Sequence, residues 1–152
     1  MEKKYGGSKA SVLVVEDTPE IQRYFQMVLQ LDGYHVSIVS SGEEALQQLQ
    51  TGGDPDVVLL DVQMPGMGGV ETLRFLRALR PQLQVIMCSG VENPETVDET
   101  LSLGAKGYLV KPIRHLYLSA AIEQCLAAER SRTGETISAR VLAYPSPVVQ
   151  SN

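Results

Sequence analysis

The sequence predicts an α/β fold, a doubly wound five-stranded parallel sheet, and three observations carry that expectation. Five short apolar runs occupy residues 11–16, 34–39, 56–60, 84–88 and 106–110. Their ends lie 23, 21, 28 and 22 residues apart, and helical patterns fill every gap. Runs such as Val12-Leu13-Val14-Val15 and Val57-Val58-Leu59-Leu60 are apolar on both faces, as strands covered by helices on both sides must be. Repeated β-then-α units of this length specify parallel strands with right-handed crossovers.

Each element carries its own signals. After the first run, Thr18 can cap a helix with Pro19 at its first position and Glu20 in its first turn. Ile21, Phe25, Val28 and Leu29 give that helix a core-facing stripe, and Gly33 follows its end. The second run leads to Ser41, which begins a helix bearing Ala45, Leu46 and Leu49. The third run closes at Asp61 and opens a glycine-rich turn over residues 63–69; Val70, Leu73, Leu76 and Leu79 then mark a helix ended by Pro81. The fourth run ends at Ser89, and Pro94 starts a helix with Val97 and Leu101 that Gly104 stops. The fifth reaches Lys111-Pro112, with Pro112 opening a last helix through Ile113, Leu116, Ala120 and Leu126. Beyond about residue 129 the apolar period fades into small polar residues, glycine and proline. The expected organisation is an N-terminal extension (1–10), one domain (11–129) and a linker or tail (130–152).

Composition narrows the function. The net charge of −5 divides into +2 for residues 130–152 and −7 for the rest, which argues against broad nucleic-acid binding by the domain. Cys88 and Cys125 belong to no Cys-x-x-Cys pair and are read as small buried hydrophobes of a reducing compartment. No stretch suits a signal peptide or a bilayer span, so the cytoplasm is expected and a membrane is not.

Parallel strands deliver their C-terminal residues to one edge, where open α/β sheets place their chemistry. Glu16, Asp17 and Asp61 should therefore meet there, joined by Ser89 and Lys111. Like charges at that range conflict unless a hard cation joins them, and oxygen donors without a His/Cys cluster favour Mg²⁺, with Mn²⁺ as its alternative, over zinc. Next to such an ion Asp61 can act as a nucleophile toward a phosphoryl group. Lys111 would offer that group a positive charge and Ser89 a hydroxyl donor. A cis bond before Pro112 would help aim the lysine inward.

Taken singly, these residues have plainer readings. A strand-end aspartate is usually a turn or cap residue, Glu16-Asp17 could be a solvated turn, and Tyr108 could merely pack. Their joint register favours chemistry. His35 and His115 read as ordinary, Met64 and Met67 as loop packing, and Arg74, Arg77 and Arg80 as a solvated helix face.

These residues resemble a two-component response-regulator receiver domain of the chemotaxis-regulator kind, over roughly residues 11–128. The likeness rests on Glu16-Asp17, on Asp61 within Leu-Leu-Asp-Val-Gln-Met-Pro-Gly-Met-Gly-Gly, on Ser89 in Val-Ile-Met-Cys-Ser-Gly, and on Gly-Ala-Lys-Gly-Tyr-Leu-Val-Lys-Pro. It implies a flavodoxin-like (βα)5 sheet of order 2-1-3-4-5. It makes Asp61 the phosphoacceptor, supplied by a sensor histidine kinase or a phosphotransfer protein. It assigns Mg²⁺ to Asp17 and Asp61 directly, to Glu16 through water, and to the backbone carbonyl of Gln63. Ser89 would swing toward the phosphate and Tyr108 would turn inward behind it. The fourth helix, fifth strand and fifth helix, near residues 94–128, would then signal to a downstream protein or to a C-terminal output domain, or pair in a homodimer. Gln63 and Val91, two residues beyond Asp61 and Ser89, would set how long the phosphoryl group lasts. The chain would be a signalling switch that catalyses only its own phosphorylation and dephosphorylation. Gly68, where many relatives are polar, and Glu16, where Asp is commoner, depart from the family pattern.

Two other functions compete. A haloacid-dehalogenase-like phosphatase also uses an Asp nucleophile and Mg²⁺, but usually carries a second acid where Gln63 stands. A flavodoxin-like FMN binder needs a phosphate cradle, and the first loop reads Glu-Asp-Thr-Pro-Glu.

Overall fold

The computed structural model describes residues 10–130. Its elements are β1 (Ser11–Val15), α1 (Pro19–Leu31), β2 (His35–Val39), α2 (Gly42–Gln50), β3 (Val57–Asp61), α3 (Gly69–Leu79), β4 (Gln84–Ser89), α4 (Pro94–Ser102), β5 (Gly107–Val110) and α5 (His115–Arg130). The strands form one sheet, β2-β1-β3-β4-β5, and every pair is parallel. Residues 1–9 and 131–152, which hold nearly all of the expected extension and tail, lie outside the described residues.

The doubly apolar strands explain the two-sided core. Along β1, Val12 and Val14 pack with Phe25 and Leu29 of α1 and Leu118 and Ile122 of α5. Leu13 and Val15 point the other way, toward Leu49 of α2, Leu73 and Leu76 of α3 and Val97 of α4. One-residue alternation thus feeds two helix layers, α1 and α5 on one face and α2 to α4 on the other. β3 and β4 are buried along their whole length, while the edge strand β2 is only partly covered. Among the described residues no helix is long and apolar enough to cross a membrane.

Two helix starts and two helix ends bear on the expectations. Thr18 sits at the N-cap of α1 with extended backbone, but its side chain makes no capping bond; its carbonyl instead receives the N–H groups of Ile21 and Gln22. The last helix begins at His115 rather than Pro112. The carbonyl of Ile113 is taken sideways by the Tyr24 hydroxyl at 2.7 Å, which ties this connection to α1 instead of to a helical turn. Gly33 and Gly104 follow α1 and α4 with φ of 92° and 105°, a left-handed conformation that suits glycine.

The residues read as bland have structural employment. Arg77 and Arg80 donate to the carbonyls of Leu83 and Leu49, and Arg74 pairs with Glu99 of α4, so the arginines of α3 are tertiary ties more than a solvated face. His115 meets Asp32 at 3.0 Å, joining α5 to the end of α1. Cys88 and Cys125 are free and buried, as expected.

Candidate functional site

The sheet edge is assembled by backbone bonds between neighbouring strand ends. Glu16 N–H donates to Val39, Val62 N–H to Cys88, and Lys111 N–H to Ser89, at 3.1, 2.8 and 2.7 Å. These bonds tie β1 to β2 and β3 and β5 to β4, and the β1–β3 register, with Val15 beside Leu60, brings the ends of β1, β3, β4 and β5 to one level. The peptide between Lys111 and Pro112 is cis, as anticipated. Gly69 N–H donates to Val62 at 2.9 Å and closes the loop after Asp61. A Cβ on Gly69 would stand 2.2 Å from the Asp61 carbonyl oxygen, so α3 can start here only from glycine.

At that edge one cation meets two buried carboxylates. Lys111 Nζ lies 2.8 Å from Glu16 Oε1 and 3.2 Å from Asp61 Oδ1. Asp61 Oδ1 also accepts the N–H of Gln63 at 3.2 Å, and Glu16 Oε2 accepts the N–H of Thr18 at 3.1 Å. Glu16, Asp17 and Asp61 each present a carboxylate oxygen, all within 4.8 Å of one another. Asp17 is half-buried, while Glu16 and Asp61 are 1% and 3% exposed.

Burial dominates the electrostatics. It pushes the Asp61 carboxyl above its ordinary range, and the charge of Glu16 adds to the effect; Lys111 and the Gln63 N–H oppose it without cancelling it. Burial also disfavours the Lys111 charge, but the Glu16 hydrogen bond and the charges of Asp61 and Glu16 outweigh it and hold the ammonium above its usual value. A strongly basic lysine here remains a cation at neutral pH.

The donor set fits a hard divalent ion. It consists of carboxylate oxygens, one group half-buried and two nearly fully buried, in the spacing a small cation bridges. What the structure shows at Gln63 is its N–H on Asp61, whereas its expected part was the carbonyl.

Ser89 and Tyr108 share a third anchor. The Ser89 hydroxyl donates to the Val91 carbonyl and accepts the Val91 N–H, both at 3.0 Å, so it is turned into its own loop. The Tyr108 hydroxyl donates to the same carbonyl at 3.1 Å, and its ring is buried between the sheet and α4. Tyr108 thus already occupies an inward position. Val91 itself is exposed, and Gln63 reaches across toward Gly90 on the same rim.

Residues 12–123 match the family model of the response regulator receiver domain. The chain belongs to that family. Among curated relatives, it is 37% identical over 125 residues to the transcriptional regulatory protein ZraR of Escherichia coli (strain K12), a match covering 82% of this chain and 28% of that one. An uncharacterized transcriptional regulatory protein, YkoG of Bacillus subtilis (strain 168), is 36% identical over 82% of this chain and 54% of its own. The chain therefore spans only about a quarter to a half of these curated relatives. Among solved structures, a CheY-like receiver domain from Methanospirillum hungatei JF-1 aligns with a TM-score of 0.77 at 29% identity, over 84% of this receiver and 100% of that chain. The chemotaxis protein CheY4 of Vibrio cholerae gives 0.72 at 32% identity, over 76% and 98%. As a receiver domain the chain is a signalling switch, with the flavodoxin-like fold and the strand order that the family resemblance implied.

Sequence reasoning identified the receiver's acids and lysine but missed three supports. The Thr18 N–H on Glu16, the Gln22 amide on the Glu16 carbonyl at 2.5 Å, and the close approach of Gly69 to Asp61 all depend on tertiary placement. Only Gly69 left a trace, as one glycine of a glycine-rich loop.

Proposed function

We propose that this receiver accepts a phosphoryl group on Asp61 from a phosphohistidine of a sensor histidine kinase or phosphotransfer protein. An Asp61 carboxylate oxygen attacks phosphorus, the P–N bond to the donor imidazole breaks, and an aspartyl phosphate forms. The observation that supports this most is the meeting of Asp61, Asp17, Glu16 and Lys111 at a single sheet edge. Asp17 and Asp61 would hold Mg²⁺ or Mn²⁺, with the Gln63 carbonyl and a water on Glu16 completing the set. The ion, when bound, supplies positive charge to the phosphoryl oxygens. Lys111 contributes the protein's own charge to them, and Ser89 turns its hydroxyl from Val91 toward the phosphate. An apolar groove of about 560 Å³, lined by Ile21, Tyr24, Phe25, Pro112 and Ile113 beside Lys111, gives the donor a surface to dock on.

Phosphorylation would then bias the α4–β5–α5 face between two states, with Ser89 and Tyr108 as the coupled switch. That face would act on a downstream protein, on an output domain following residues 130–152, or on a second copy of itself. Direct nucleic-acid contact by the domain is not part of the proposal, and its setting is the cytoplasm. Gln63 and Val91 would tune dephosphorylation; an unchanged rate after exchanging both would sink that assignment.

The test is intact mass after incubation with acetyl phosphate and Mg²⁺. One Mg²⁺-dependent phosphoryl adduct is expected in wild type and none in Asp61→Ala. An adduct that persists in Asp61→Ala would remove Asp61 from the role.

A further inference from the structure

Glu16 is the most fully engaged side chain at the sheet edge. It is 1% exposed, with Oε1 on Lys111 Nζ at 2.8 Å and Oε2 on the Thr18 N–H at 3.1 Å. Its main chain is pinned too: the N–H donates to Val39 at 3.1 Å, and the carbonyl receives the Gln22 amide. Groups from β2, from α1 and its cap, and from the segment after β5 therefore fix one residue. A carboxylate held this way is a rigid post rather than a mobile ligand.

The ammonium of Lys111 stands between two carboxylates, closer to Glu16 (2.8 Å) than to Asp61 (3.2 Å). When Asp61 carries a phosphoryl group, Lys111 must trade its Asp61 oxygen for a phosphoryl oxygen. Glu16 is the partner it can keep during that exchange. Without it, a cation that is largely buried would pass through the exchange with no fixed partner while the negative charge on Asp61 moves outward onto the phosphoryl oxygens. Glutamate's extra methylene, relative to aspartate, extends the carboxylate from β1 toward β5, where the lysine lies.

We propose that Glu16 is a positioning residue acting through Lys111: it holds the ammonium aimed at Asp61, and its share in holding the ion is secondary. The inference rests on the phosphoacceptor reading of Asp61.

A double-mutant cycle separates the two roles. Asp61 phosphorylation by acetyl phosphate and Mg²⁺ is followed by intact mass in wild type, Glu16→Gln, Lys111→Met and the double variant. Glu16→Gln is expected to slow phosphorylation about tenfold in the wild-type background and less than about twofold when Lys111 is methionine, a typical coupling for contacting groups. A loss as large in the Lys111→Met background as in wild type would mean that Glu16 acts on the metal or the fold directly, and would overturn the proposal.

A second readout needs no phosphotransfer. In metal-free protein, competitive acylation of the lysines is read by peptide mass, with Lys106 as internal reference. Glu16→Gln should raise Lys111 labelling severalfold, and by more than Asp61→Asn does. Unchanged Lys111 labelling in Glu16→Gln would overturn the proposal as well. A wild type that takes no adduct at all would count against the phosphoacceptor reading, and the labelling ratio would still decide the role of Glu16.

Discussion

Replacing Asp61 with asparagine should make the metal-free receiver more stable, although it removes the residue proposed to carry the chemistry. The asparagine oxygen can still accept from Gln63 N–H and Lys111, so the variant loses a charge and little geometry. At an effective dielectric near 20, a like charge no farther than 4.8 Å away costs Asp61 at least about 3 kcal/mol. Lys111 at 3.2 Å returns about 5 kcal/mol, but asparagine keeps part of that as a hydrogen bond, and the ammonium keeps Glu16. Desolvation tips the balance, because a carboxylate that is 3% exposed forfeits most of its hydration, worth several kcal/mol in effect. A net gain of about 1–2 kcal/mol for Asp61→Asn at pH 7 is the expected order of magnitude. The sign follows from the raised Asp61 pKa. A folded pKa above the unfolded one gives stability that is full below the unfolded value, about 3.9 for Asp, and lost as pH rises through the folded value. Wild type therefore bears the penalty wherever Asp61 is ionised, and the advantage of asparagine should shrink as pH falls toward 4. Urea unfolding in EDTA across that range measures it. In Mg²⁺ at ten times its Kd, wild type gains about 1.4 kcal/mol and the gap should close. An Asp61→Asn variant less stable than wild type in EDTA at pH 7, or an advantage that grows on acidification, would refute the reasoning.

The remaining expectations test the supports around the site. Gly69→Ala places a methyl 2.2 Å from the Asp61 carbonyl oxygen; overpacking of this kind costs about 1–3 kcal/mol in urea unfolding, and it should slow Asp61 phosphorylation because the strain falls on the acceptor's own backbone. Tyr108→Phe removes the 3.1 Å bond to the Val91 carbonyl, which keeps its Ser89 partner, so the loss should stay at or below about 1 kcal/mol. Burial pushes the Cys125 thiol up to about 12 and Cys88 higher still. Neither should react with a thiol reagent at pH 8 in the native state, and both should react in denaturing urea.

The fold was legible because its signals are local and repeated. Val12 to Val15 and Val57 to Leu60 announce two-faced burial in four residues each, and every intervening helix carries an amphipathic stripe. Strand order was different: no run states which neighbour it will choose, and 2-1-3-4-5 came from the resemblance rather than from the apolar pattern. Helix limits failed where a distant side chain intervened. Nothing near Pro112 reveals that Tyr24, 89 residues away, will claim the Ile113 carbonyl and delay α5 to His115. Thr18 looked like a side-chain cap for a sound local reason, yet its hydroxyl is not what the helix end uses.

The site divides along the same line. Residue types at strand ends are written in the sequence, because parallel topology turns the statement "ends a strand" into "sits at the edge". Asp61, Asp17, Glu16, Ser89 and Lys111 were all found that way. Which of them touch one another is set by side-chain reach, which strand-end position does not state. The sequence grouped Glu16 with Asp17 as two acids for one ion, since adjacent carboxylates invite that reading. In the fold their carboxylate oxygens do meet with one of Asp61, all within 4.8 Å, yet their surroundings differ. Asp17 stays half-buried, while Glu16 is buried with Lys111 on one oxygen and a backbone N–H on the other. Glu16 therefore has a lysine contact that its place beside Asp17 did not announce, while the three acids keep the spacing that an ion would need.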